Sequence, residues 1–291
     1  MTAEPGLEVP ASVRGPFPPE PSRLVPSSKR GVPIAVFEAG VTDSPEPPLV
    51  LVHGATADHT TFRAVAPVLG LRRRLFAVDR RGRGASGDSA EYSIDLEYDD
   101  LAAVADAIGA GVPGSVDVLG HSYGGRCALG ASLRTPTIRR VVAYESAPLP
   151  PGASYRPAGL LERVRDDLSR GDKEAALSDF LAGIVGLSPE ALDAYRAEPV
   201  WPARVAAAHT ILREVEAETT PAAGLEALSA VTVPVLLIVG GTSRSPFGIG
   251  TTALAARLAD ACVVTIEGAA HAAHHTHVAE FASAVVGFLD R

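Results

Sequence analysis

The feature that most narrows what this 291-residue chain can fold into is its alternation of short, wholly apolar runs with segments of helical periodicity. Residues 49–52 (Leu-Val-Leu-Val) carry no polar side chain, as expected of a strand buried on both faces of a parallel sheet. Comparable runs at 34–38, 75–78, 115–119 and 139–144 read as further strands, with helical patterns at 60–69, 94–108 and 123–133 between them. Strand, helix, strand with short connections predicts an α/β fold: a mostly parallel central sheet with helices on both faces.

The pattern changes after residue 148. Helical segments follow one another at 160–168, 173–185, 189–196, 202–216 and 221–228, punctuated by Pro and Gly. Strands return at 234–239 and 262–266, with helices at 251–258 and 278–289. A helical block inserted between two strands of a parallel sheet is expected to form a lid over the carboxyl ends of the strands, where open α/β sheets bind ligands. The expected organisation is a Pro-rich arm at 1–30, a core domain from 31–148 and 231–291, and a helical lid at 149–230.

Composition limits the partners. A formal net charge of −8 repels phosphate backbones, so no nucleic acid partner is expected. The basic cluster Arg72, Arg73, Arg74, Arg80, Arg81 and Arg83 flanks a short strand and reads as solvated strand ends and turn. The two cysteines, Cys127 and Cys262, fall in separate apolar stretches and read as free, buried thiols. No apolar run is long enough to span a bilayer, and residues 1–30 show no signal-peptide pattern. The expectation is a cytoplasmic protein with a small-molecule substrate and no membrane partner; a homodimer is left open.

Gly120-His121-Ser122-Tyr123-Gly124 follows an apolar strand and opens a helix. A sharp strand-to-helix turn holds its central Ser in a strained conformation, and the flanking positions must be tiny. Ser122 is therefore the candidate nucleophile, at a helix N-terminus whose N–H groups suit a developing oxyanion. The N–H of Tyr123 is one expected donor, and that of Ala55, in the loop leaving strand 49–52, the other. Gly54 lets that loop approach a substrate, and His53 braces it; both are placed at the substrate side of the site. His271, in the loop Gly268-Ala269-Ala270-His271 after the last strand, is the candidate general base. His274, His275 and His277 crowd the same stretch, but no carboxylate or thiolate lies at a ligand spacing, so no metal and no cofactor are expected. Trp201, Tyr195, His209 and Phe180 are the lid residues expected to shape the pocket.

These motifs, with the turn Asp79-Arg80-Arg81-Gly82-Arg83-Gly84-Ala85-Ser86, resemble the α/β-hydrolase family over residues 32–290. The resemblance implies that family's fold with a lid, and a Ser–His–acid site. Many members carry the acid after the strand that resumes behind the lid. Here no Asp or Glu occurs between Val231 and Ala259. Some members place the acid one strand earlier, which points to Glu145 at the end of strand 139–144; a Ser–His dyad is the competing arrangement. The expected function is hydrolysis of a small carboxylic ester or lactone through an acyl-serine. A non-hydrolytic member of the fold, a lyase, cyclisation catalyst or small-molecule receptor, is the alternative.

Overall fold

The computed structural model describes residues 17–27 and 31–291, and the backbone of Val13 and Arg14. The rest of the expected N-terminal arm lies outside the described residues. Among the described residues nine strands form one sheet: β1 (Val13–Arg14), β2 (Arg23–Pro26), β3 (Pro33–Val41), β4 (Leu49–Val52), β5 (Arg74–Val78), β6 (Val116–His121), β7 (Ile138–Tyr144), β8 (Val235–Gly240) and β9 (Ala261–Ile266). Their order is β1-β3-β5-β4-β6-β7-β8-β9, with β2 also paired to β3. Strands β1 to β3 and the β3–β5 pair are antiparallel; from β5 to β9 every pairing is parallel.

The period-two geometry of β4 divides its side chains between two cores. Val50 and Val52 join one face with α2 (Ile94–Gly109), α3 (Tyr123–Ser132) and α10 (Ser245–Ala255). Leu49 and Leu51 join the other, packed under α1 (Ala66–Leu69) and α11 (Val278–Leu289). Helix α2 begins where Ser93 accepts a hydrogen bond from Leu96 N–H, with Asp95 and Glu97 in its first turn. Between β7 and β8 lie six helices: α4 (Leu160–Ser169), α5 (Lys173–Phe180), α6 (Pro189–Arg196), α7 (Trp201–Ala206), α8 (Ile211–Ala217) and α9 (Leu225–Leu228). The first five share an apolar cluster of their own around Leu177, Phe180, Trp201 and Ile211.

Several expected helices are broken. Segment 60–69 divides into a 3-10 turn, His59–Phe62, and α1, where Pro67 lies in the first turn and cannot donate to a preceding one. Segment 221–228 is interrupted at Gly224, whose ψ of 170° is extended.

The arginine cluster departs most from expectation. Arg73, Arg80, Arg81 and Arg83 are buried rather than solvated. Arg81 holds Asp100 through Nε and Nη2, at 2.7 and 2.9 Å. Arg80 bridges Glu97 (2.8 Å) and Glu214 (2.6 Å), and Arg83 also reaches Glu214 (2.5 Å). Burial alone would raise Glu214, but Arg80 and Arg83 hold it below the usual carboxylate range. These partners lie outside the basic run, on α2 and, for Glu214, on α8 more than 130 residues on, which local reading of the run does not reveal. Cys127 is buried, whereas Cys262 is only half-buried; both are free.

Candidate active site

Parallel register sets the site. His121 is opposite Tyr144 in the β6–β7 pair, so the residues that follow them, Ser122 and Glu145, leave adjacent strands side by side. The next strand, β8, ends at Gly240, and β9 leads through a short loop to His271. Three residues here take positive φ without being glycine: Thr56 (55°), Ser122 (54°) and Glu145 (49°). Backbone conformations this unfavourable persist where the surroundings over-determine them.

The elbow at Ser122 explains its glycines. A Cβ on Gly124 would sit 2.3 Å from His53 O and 2.4 Å from Val52 O; one on Gly120 would sit 2.4 Å from Gly124 O. Tyr123 starts α3, so its N–H belongs to the helix's first turn and has no intrahelical acceptor. Gly54 lies against the side chain of Ser122: its missing Cβ would be 3.0 Å from Ser122 Cβ.

Glu145 is 2% exposed, and its carboxylate is fully engaged. Oε2 meets His271 Nδ1 at 2.5 Å, while Oε1 accepts from Gly240 N–H (2.8 Å) and from Ser243 Oγ. The loop after β8 thus supplies donors that seat a carboxylate arriving from β7. The sequence shows the missing acid there but gives no sign that Ser243 complements Glu145. Three further groups fix the imidazole. His121 Nε2 donates to His271 O at 2.9 Å, Tyr144 Oη donates to Ala270 O and accepts from Ala273 N–H, and Phe247 lies 4.7 Å from the His271 ring, centroid to centroid. Burial, then the neighbouring His271, pushes His121 well below the ordinary imidazole range. Burial, followed by His121 and His275, does the same to His274.

Ser122 and His271 open onto one cavity of about 600 Å³. Gly54 and Ala55 line it from the β4 loop, and Phe180, Leu181, Ile184, Val185 and Tyr195 from the helical block. Three expected substrate-side residues are elsewhere. His53 is fully buried behind the loop: its Nε2 accepts from Arg80 N–H (3.0 Å), so the proton is on Nδ1, which donates to Gly54 O (2.8 Å). Burial, then Arg80, keeps that ring neutral. Trp201 packs inside the helical block against Tyr195, with ring centroids 5.6 Å apart. His209 is exposed and bonds Ala206 O. Aromatic or imidazole character alone does not reveal which side of a short helix faces the cavity. Among the described residues no group of three or more His, Cys, Asp or Glu is arranged to hold a metal ion. No helix among them is long and apolar enough to cross a membrane.

A family model described as "Alpha/beta hydrolase family" matches residues 49–284. The structure of an alpha/beta hydrolase from Sphaerobacter thermophilus is 30% identical, with a TM-score of 0.73 over 89% of this chain and 99% of that one. A pimeloyl-(acyl-carrier protein) methyl ester esterase of Nitrosomonas europaea is 29% identical over 207 residues, 67% of this chain and 76% of that protein. A probable oxidoreductase, EphD, of Mycobacterium tuberculosis is 39% identical over 106 residues, and the match spans only 17% of that longer protein.

Proposed function

The chain belongs to the α/β hydrolase family, and we propose that it is a serine hydrolase cleaving a small carboxylic ester or lactone. The observation that carries this reading is the 2.5 Å contact between His271 Nδ1 and Glu145 Oε2, on the wall of the cavity that Ser122 also lines. With Nδ1–H committed to the carboxylate, Nε2 is the nitrogen left to accept a proton. Ser122 Oγ attacks the acyl carbon and gives its proton to His271 Nε2. The N–H groups of Tyr123 and Ala55 receive the oxyanion, and the imidazolium, stabilised by Glu145, returns the proton to the departing alkoxide. A water, deprotonated by the same imidazole, then hydrolyses the acyl-serine. In this reading the helical block serves as the lid, its apolar residues keeping water from the acyl group.

The esterase name of the Nitrosomonas relative supports ester cleavage. The non-hydrolytic alternative drew its force from the empty acid position after β8; Glu145, seated by Gly240 and Ser243, supplies the acid in this mechanism. With p-nitrophenyl acetate in excess, a burst of about one nitrophenolate per chain followed by a slower steady state is expected. The Ser122→Ala chain should show neither phase. Equal release by both chains would remove Ser122 from the chemistry.

A further inference from the structure

We propose that Arg204 binds a carboxylate of the substrate, so that the site takes short acyl compounds bearing a free acid group, such as half-esters of dicarboxylic acids. The inference rests on reading the cavity as an acyl-transfer site, and narrows it.

Arg204 lines the cavity, although its side chain is only 2% exposed. Arg80, Arg81 and Arg83, equally buried, each hold a carboxylate oxygen at 2.5 to 2.7 Å. For Arg204 the nearest is Asp58 Oδ1, 3.6 Å from Nη1, and that oxygen already accepts from Thr60 N–H and Thr60 Oγ1. Its other bonds are Nε to Tyr195 Oη at 3.1 Å and Nη1 to Thr56 O at a marginal 3.5 Å. Among the described residues Nη2 has no hydrogen-bond acceptor.

A guanidinium withdrawn from water with its nearest counter-charge 3.6 Å away and already shared is under-compensated, and a bidentate carboxylate is the ligand that best repays the cost. Tyr195, which accepts from Arg204 and also lines the cavity, keeps its own proton to donate to such a ligand. The other arginine on the wall, Arg63, has its own partner in Glu198 at 3.3 Å. The contact with Thr56 O puts the Arg204 cation one residue from Ala55, the proposed oxyanion donor, so the acid and the scissile carbonyl belong to a short chain. The Arg204 charge is felt inside the cavity: burial, then Arg63 and Arg204, push His275 down to about 4.

The test compares monomethyl and dimethyl esters of succinic, glutaric and adipic acids in the wild-type chain, Arg204→Lys and Arg204→Gln. For the best diacid the wild type should prefer the monoester by about tenfold or more in kcat/KM. Arg204→Gln should erase that preference by raising KM for the monoester, while the dimethyl ester changes by less than about threefold. Arg204→Lys should retain part of it. Equal treatment of the two esters by the wild type, or an equal fall for both in Arg204→Gln, overturns the proposal and leaves the serine-hydrolase reading standing. If no ester is cleaved, that reading fails instead. The anion site is then read by the thermal midpoint with succinate or glutarate: a rise in the wild type supports it, and none overturns it. Should Arg204→Gln fail to fold by circular dichroism, the wild-type ester ratio and Arg204→Lys decide.

Discussion

Glu145 and His271 stand 126 residues apart in sequence and meet at 2.5 Å, Oε2 to Nδ1, with the opposite carboxylate oxygen held by Gly240 N–H and Ser243 Oγ. The carboxylate that meets His271 is therefore rooted on β7 and seated by the end of β8 and the loop after it. A Glu is long enough to bridge the two strands, and its positive φ turns the side chain out of the regular strand direction.

Glu145→Gln tests that arrangement. The amide oxygen can replace Oε1 toward Gly240 and Ser243, which points the NH₂ at His271 Nδ1 and favours the wrong imidazole tautomer. Turnover should fall by about 10³- to 10⁴-fold, with circular dichroism and thermal midpoint nearly unchanged. Turnover within a few-fold of wild type contradicts the role given to Glu145.

Ser243→Ala removes one of two donors to the same oxygen and leaves Gly240 N–H in place. The loss of about 1 kcal/mol of hydrogen bonding should lower kcat by roughly fivefold, with KM unchanged. Ser243→Thr should restore most of it. An unchanged kcat in Ser243→Ala would show that the hydroxyl does not position the carboxylate.

These residues show what a sequence can disclose. The Ser122 elbow is local: its glycines lie within two positions, between a buried strand and a helix, and the backbone adopts the strained turn expected of it. Glu145 follows from the family resemblance: the usual acid position falls in an acid-free stretch between Val231 and Ala259, and some members place the acid one strand earlier. Ser243, Tyr144 and Phe247 carry no comparable signal, because their importance arises only when β7, β8 and the His271 loop are brought together. The basic run misled for the same reason. A guanidinium is read as solvated until its carboxylate is found, and Glu214 lies 131 residues beyond Arg83. Helix α7, only six residues long, gives too little periodicity to tell that Arg204 rather than Trp201 faces the cavity.

Glu214→Leu removes the charge shared by Arg80 and Arg83; among the described residues it leaves Arg80 with Glu97 and Arg83 with only the carbonyls of Arg81 and Gly82. Breaking one partner of a buried ion pair costs about 3–5 kcal/mol. Urea unfolding should show a loss of that order. A change under about 1 kcal/mol would mean that the network is replaceable.

Stability should also fall in mild acid. His275 is held near 4 in the folded protein, below its unfolded value, so the unfolded chain takes up the proton first. The contribution is fully present above about pH 6.5, is lost as pH drops toward 4, and levels off below that, amounting to about 3 kcal/mol. His53, His121 and His274 are depressed in the same direction and add to the slope. Unfolding free energies at pH 7.5 and 5 check this, and His275→Asn should reduce the difference without abolishing it. A wild-type chain equally stable at both values contradicts the neutral histidine cluster.

The most direct measurement is peptide mapping after reaction with a fluorophosphonate, on the wild-type chain and on His271→Ala. A single adduct on Ser122 is expected in the wild type, with labelling slowed by orders of magnitude once the imidazole is gone. An adduct on another residue, or labelling of Ser122 at the same rate without His271, would contradict the proposed mechanism.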